Sequence, residues 1–210
     1  MNNKWRLLSL ITVAALASTA CGTNPKHARD ALYDKAPCCE RYDQFRFQLL
    51  QFDQPLTVKI NAGSPAYRFP VGKSHFAAAE VPGDHGRREV VVQSCVSTYT
   101  GWTEAAVYLF YPVVSILDGS YRPLRSIRVP EHQVSANIKE HVLEIPLVLG
   151  EGEKFIVIYT DPNLIGKDFT YSFATSGSGG GVTFRGTAFK TVTFDAGGEL
   201  ELRVRRLSSN

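Results

Sequence analysis

From Leu56 onward, apolar and polar residues alternate with period two along most of the chain. Leu56, Val58 and Ile60 are separated by Thr57 and Lys59, and the run stops at Asn61-Ala62-Gly63-Ser64-Pro65. A period of two sends successive side chains to opposite faces of a pleated backbone, so the run predicts a β-strand. Further strands are predicted over Tyr67-Arg68-Phe69, His75–Val81, Glu89–Val96, Ala106–Tyr111, Val113–Leu117 and Leu124–Val129. The series continues with His141–Leu147, Lys154–Thr160, Phe169–Ala174, Val182–Arg185, Lys190–Phe194 and Glu199–Arg205. Turn residues divide them, at Val71-Gly72-Lys73-Ser74, Pro82-Gly83-Asp84-His85-Gly86 and Asp118-Gly119. The run Gly177-Ser178-Gly179-Gly180-Gly181 predicts a mobile loop. Strands this short and this closely spaced predict an all-β chain, an antiparallel β-sandwich of jelly-roll-like form. Glu199–Arg205 alternates so strictly that one of its faces must be wet.

Two stretches leave the pattern. In Cys39–Leu50, the residues Tyr42, Phe45, Leu49 and Leu50 suit a helical face, while Phe45-Arg46-Phe47 alternates like a strand. After Asp161-Pro162 a short helical stretch is expected, ending at Lys167.

The N-terminus reads differently. Lys4 and Arg6 precede the apolar run Leu7–Ala17, and small residues lead to Cys21. That order predicts a secretory signal peptide over residues 1–20. The run is shorter than the roughly 20 apolar residues a membrane-spanning helix needs. Ala20-Cys21 resembles the lipobox of bacterial lipoproteins, although Ser18 stands where that motif has Leu. The resemblance implies acylation of Cys21, and Gly22 after it implies sorting to the outer membrane on the periplasmic side. Without acylation, the chain is expected free in the periplasm. Residues 21–37 are polar, contain Pro25, and read as a lipidated tether in which Ala28–Lys35 could wind a turn or two of helix. Residues 38–210 are left for the sandwich.

Export places the four cysteines in an oxidising compartment. With Cys21 acylated, the simplest pairing ties Cys38 or Cys39 to Cys95, since a ring between adjacent cysteines is strained. Closing so long a loop contributes up to roughly 4 kcal/mol. Paired C-x₂-C spacings for a metal are missing.

An ordered set of motifs resembles the MalM family, the maltose-operon periplasmic proteins. It comprises Cys38-Cys39, Phe45–Leu50, Tyr67–Phe76, the strand ending in Ser94, and Tyr111-Pro112-Val113-Val114-Ser115-Ile116-Leu117-Asp118. The resemblance covers roughly residues 37 to 165, leaving 166–210 as closing strands. It implies a periplasmic protein linked to maltodextrin or polysaccharide uptake, and it supplies no catalytic residues.

The chemistry-bearing residue types form no catalytic pattern. Gly72-Lys73-Ser74 lacks the earlier glycine of a phosphate loop, since Tyr67 stands there, and reads as a hairpin turn with an exposed lysine. There is no G-x-S-x-G elbow. In Ser74-His75 and Asp84-His85 strand neighbours point to opposite faces, so these histidines read as solvated surface groups. His132 and His141 have no metal spacing. No cofactor is expected, and the chain reads as non-enzymatic; a hydrolase assembled from distant strands is the weakest alternative. Tyr99-Thr100-Gly101-Trp102 and Tyr121 are the candidate contacts for a glycan or a protein partner. Sugar C–H faces lie on aromatic rings, and Thr103 and Glu104 could meet the hydroxyls; equally, Trp102 could cap the core. A carbohydrate-binding module using Trp102 and Tyr99 is thus the main alternative to an accessory envelope lipoprotein. Net charge is +3, and the signal removes Lys4 and Arg6 without removing an acid. The remaining chain is close to neutral, with no electrostatic reason to bind nucleic acid.

Overall fold

The structure, a computed structural model, describes residues 25–83, 86–100, 105–139, 141–179 and 182–207. It opens with helix α1 (Pro25–Asp34), followed by β1 (Gln48–Leu49), β2 (Leu56–Ile60), β3 (Ala66–Phe69), β4 (Gly72–Glu80) and β5 (Arg88–Thr100). Next come β6 (Ala105–Phe110), β7 (Pro112–Asp118), β8 (Pro123–Ile127), the short helix α2 (Val134–Asn137) and β9 (Ile138–Lys139). The chain closes with β10 (Val142–Leu149), β11 (Glu153–Thr160), β12 (Asp168–Gly179), β13 (Val182–Asp195) and β14 (Gly198–Arg206).

Among the described residues these strands form two mixed sheets packed face to face, an all-β sandwich. One sheet has six strands in the order β1-β4-β11-β7-β8, with β3 also on β4. The other has eight, in the order β12-β13-β6-β5-β10-β9, with β14 between β5 and β2. Pairing is antiparallel except at two joints, β1 with β4 and β13 with β6. A parallel pair needs a long crossover, and both have one: β2 and β3 lie between β1 and β4 in sequence, and β7 to β12 between β6 and β13.

The core lies between the sheets. Ile116, Ile156 and Ile158 from the six-stranded sheet meet Val90, Val92, Leu143, Ile145, Leu147, Leu200 and Leu202 from the other. The six-stranded sheet is covered on its outer face as well. There Phe69, Phe76, Val113, Leu117, Phe155, Val157 and Tyr159 form a second apolar cluster under Phe45. Burial on both faces explains why Val113–Leu117 and Phe155–Tyr159 are nearly continuous apolar runs. β14, in contrast, alternates buried and open positions along its first seven residues, as its sequence predicts.

Several boundaries differ from expectation. Val182–Arg185 and Lys190–Phe194 belong to one strand, β13, which pairs continuously with β12 from Asp168↔Thr193 to Gly179↔Val182. The glycine run therefore enters the tip of a long hairpin, with Gly177, Ser178 and Gly179 in strand pairing; residues 180–181 lie outside the described residues. The stretch to Lys167 is a succession of turns rather than a helix, with Leu164 N–H bonded to Asp161 and Lys167 N–H to Leu164. Cys39–Leu50 resolves into a 3-10 turn at Tyr42–Gln44 and then β1.

Candidate functional site

Within residues 21–37, expected as a tether with a turn or two of helix at Ala28–Lys35, residues 25–34 form that helix, which starts earlier than expected and is docked on the sandwich. Pro25 fits the first turn, where a missing N–H costs nothing. Ala28 and Leu32 sit four residues apart on one face and are buried against Ala66 and Ala196, with Ile165 beside them. Close approach is built in: a Cβ at Gly197 would stand 2.8 Å from that of Ala28 and 2.7 Å from the carbonyl oxygen of Ile60. Polar contacts complete the dock. Lys73 Nζ donates to the carbonyls of Tyr33 (2.7 Å) and Lys35 (3.2 Å), at the negative end of the helix. Lys35 Nζ in turn donates to Ala62 O at 2.8 Å.

Two surface readings are corrected here. Lys73 does lie at a hairpin turn, with Phe69 paired to Gly72, but its ammonium holds α1 and is not a free surface charge. His75 is fully buried, its Nε2 3.2 Å from Ala28 O and its Nδ1 3.1 Å from Ser64 O. Burial pushes its pKa down; the carbonyls of Ser64, Ala28 and Pro65 oppose that, and Lys35 adds to it. Ser74 does not serve it as a nucleophile partner. The Ser74 hydroxyl donates to the carbonyl of His75 and accepts from the Thr160 amide. The pair Asp84-His85 lies outside the described residues.

The cysteine pairing is also corrected. Cys38 and Cys39 are bonded to each other, their Cα atoms 3.7 Å apart, and neither is joined to Cys95. The reason is placement. The Cys38 amide bonds to Ala66 O, and Cys39 packs on the outer cluster of the six-stranded sheet. Cys95 lies on β5 in the other sheet, opposite Val142, with the outward parity of Val91 and Gln93. Packed sheets stand about 10 Å apart, beyond the roughly 7 Å that a disulfide spans between Cα atoms.

The expected lipidation site Cys21 and the candidate contact Trp102 lie outside the described residues, and Tyr99 is placed by its backbone, paired with Ala106 at the end of β5. Tyr121 sits in the turn between β7 and β8, on the other sheet, so the two tyrosines belong to different surfaces. Its ring stacks on Phe155 at 4.6 Å and meets Phe47 at 5.5 Å. It thereby joins an aromatic face that sequence reasoning did not assemble. Phe45 packs on Phe76 at 4.2 Å, Phe69 stacks on Tyr159 at 3.7 Å, and Tyr42 touches Phe45 and Tyr67. Burial, with Tyr159 and Tyr67 nearby, pushes the Tyr42 hydroxyl up to about 12, so it stays a neutral donor. The signal was present in Phe45-Arg46-Phe47 and in the outward positions of β3 and β11, but it needed the sheet order to be read.

Tyr42, Phe47, Tyr67 and Tyr121 remain half-exposed on this face. Beside them runs a groove of about 610 Å³ walled by Cys38, Cys39, Phe45 and Phe76, with Lys35, Arg46 and Lys59 on its rim. It opens where β4 changes neighbour, from β3 along Gly72–His75 to β1 at Ala79–Glu80. Rings with one face open, beside a groove rimmed by cations, can bind C–H surfaces and hydrogen-bond acceptors. Among the described residues no group of three His, Cys, Asp or Glu could hold a metal ion. No family model matches the chain, and no curated protein matches it.

Proposed function

We propose that this chain is a non-catalytic envelope lipoprotein of the MalM type, accessory to carbohydrate transport or envelope assembly. Acylated Cys21 anchors it to the outer membrane on the periplasmic side, and the sandwich presents a binding face to a glycan or an envelope protein. The observation that carries this reading is the row of half-exposed rings, Tyr42, Phe47, Tyr67 and Tyr121, beside the groove at Cys38-Cys39. Amphipathic rings are favoured both at protein interfaces and under sugar C–H faces. The docked α1 adds to it: a segment this close to the anchor, held to the sandwich by Lys73, fixes how the domain is carried at a surface.

Two measurements test the proposal. Feeding an alkyne fatty acid to the host should label the wild type and leave Cys21→Ser unlabelled and soluble. An unlabelled wild type removes the anchor. A glycan array, together with cross-linking in intact envelopes, should give a signal that Phe47→Ala with Tyr121→Ala abolishes. A signal untouched by that double variant removes this face from the function.

A further inference from the structure

The groove beside the aromatic face carries its charge unevenly. Lys35, Arg46 and Lys59 stand along it, and no Asp or Glu is in its lining. Lys59 is matched by Glu199, 3.3 Å away. The other two cations are open. Among the described residues Arg46 is exposed and makes neither a hydrogen bond nor an ion pair. Lys35 makes no ion pair there either; its Nζ donates to Ala62 O at 2.8 Å, and an ammonium has three protons to give. Around the same face most acids already have a cation: Asp43 lies 3.1 Å from Arg41, Asp118 2.8 Å from Arg122, and Glu80 3.5 Å from Lys154. Glu40 has no such partner among the described residues, but it stands outside the lining. Arg68 is a second unpaired arginine among the described residues, and alternation along β3 turns it elsewhere. Tyr67 and Phe69 join the aromatic cluster, whereas Ala66, on the same side as Arg68, packs under α1.

This pattern restricts the ligand. Phe45, Phe76 and Val58 give the groove apolar walls, and the exposed Gln48 amide can donate to one hydroxyl and accept from another. Those groups suit the C–H faces and hydroxyls of a sugar. Two open cations with no acid beside them suit carboxylates, and the Arg46 fork can take one by two parallel hydrogen bonds. A neutral sugar would leave both cations unmatched. An acidic peptide would match them, but it brings no ring faces to the half-exposed Tyr42, Phe47, Tyr67 and Tyr121 alongside. The volume of about 610 Å³ lies within the roughly 300–1,000 Å³ of small-ligand sites and has room for a few sugar units. On the reading that this face binds a glycan, we propose that the groove takes an acidic oligosaccharide, with uronate carboxylates at Arg46 and Lys35 and its rings along the aromatic row.

Titration calorimetry of the full chain in non-ionic detergent tests this, with trigalacturonate, maltotriose and a triglutamate peptide as probes. Trigalacturonate should bind saturably and about fivefold more tightly than maltotriose, which has as many rings and no charge; an exposed ion pair is worth up to about that factor. Triglutamate should bind more weakly than trigalacturonate. Arg46→Gln should erase most of the preference for the acidic sugar, and Arg68→Gln should leave it intact. The preference should also fade as salt rises to about 1 M, where the screening length falls to about 3 Å. Equal affinity for the two sugars overturns the proposal, as does a preference that survives Arg46→Gln or is lost equally with Arg68→Gln. Triglutamate binding as tight as trigalacturonate makes the occupant an acidic peptide and overturns it too, as does no trigalacturonate binding up to about 10 mM, beyond millimolar affinity. Phe47→Ala with Tyr121→Ala separates this from the reading beneath it. If both sugars bind equally and that double variant abolishes both, the charge selection fails and the glycan face stands.

Discussion

The imidazole Nε2 of His75 lies 3.2 Å from the carbonyl oxygen of Ala28, deep under helix α1. The other ring nitrogen faces Ser64 O, so the ring sits between two acceptors, one on α1 and one on the β2–β3 turn. Neutral imidazole donates to one of them; imidazolium would donate to both, but burial holds its pKa below the usual 6.5. The sign of the pH effect follows. A base whose folded pKa is depressed loses stability as pH falls through its unfolded value, because the unfolded chain takes the proton first. In an Asp195→Asn background, stability measured by urea unfolding should decline as pH drops below about 6.5. His75→Gln should flatten that decline. An identical slope in both proteins would assign the titration to another group.

Lys73→Ala removes the ammonium that donates to the carbonyls of Tyr33 and Lys35 at the end of α1. A cation at a helix C-terminus contributes roughly 0.3–1 kcal/mol, and up to about 2 where partly buried. The expected result is faster hydrogen exchange confined to the α1 amides, with little change in the global unfolding midpoint. If the sandwich strands exchange faster as well, the contact does more than hold the helix.

Lys73 and His75 depart from expectation for one physical reason. Gly72-Lys73-Ser74-His75 looks like a hairpin corner locally, and it is one, but the α1 carbonyls its side chains touch lie far upstream in sequence. Strand identity, by contrast, is a local property: β2, β7, β11 and β14 are legible from alternation or from unbroken apolar runs. The apolar run of β11 carries a further message, since a strand apolar at Phe155, Val157 and Tyr159 as well as at Ile156 and Ile158 must be covered on both faces. What covers it, the segment from Tyr42 to Phe47, is too short to announce its position. The cysteine pairing is illegible for the same reason: which sheet Cys95 occupies depends on strand order, and periodicity does not encode strand order.

The adjacent Cys38–Cys39 bridge predicts where a new thiol appears when it is cut. Cys21→Ser protein, purified without reductant and alkylated after unfolding, gives the reference pattern of labelled peptides. Adding Cys38→Ser should raise the thiol count by one, and peptide mapping should place the new label on Cys39. Replacing both Cys38 and Cys39 by Ser should return the count to that of the reference. A new label on Cys95 instead of Cys39 would show that the bridge spans the two sheets.

Asp195 titrates in the direction opposite to His75. Its folded pKa is raised from 3.8 to about 6, mainly by burial. The folded state therefore carries a penalty at neutral pH that disappears as pH falls through 6 toward 4. At neutral pH that penalty is roughly 3 kcal/mol. Asp195→Asn removes that penalty, retains an oxygen for the Ala196 amide, and adds a buried NH₂ costing roughly 1 kcal/mol or more. It should stabilise the protein by about 1–2 kcal/mol at pH 7, and near pH 4, where only the cost of the buried NH₂ remains, it should destabilise it by up to about 1 kcal/mol. Destabilisation at neutral pH would show that the amide contacts of the carboxylate outweigh the cost of burying it.

Arg88 offers the sharpest stability test. It is 2% exposed, and among the described residues its guanidinium donates to the carbonyls of Pro82 and Gly83 after β4, and to those of Gly150 and Glu153 on either side of the turn before β11. The planar fork thus ties the turn after β4 to the turn before β11 at one end of the sandwich. Arg88→Met fills much the same volume but strands those carbonyls away from water, each costing of the order of 1 kcal/mol or more. A loss of at least about 3 kcal/mol is expected in chemical unfolding. Arg88→Lys should recover less than half of it, because one ammonium cannot reach both turns in the geometry that the fork provides. Full recovery by lysine would mean that the positive charge matters and the bridging does not.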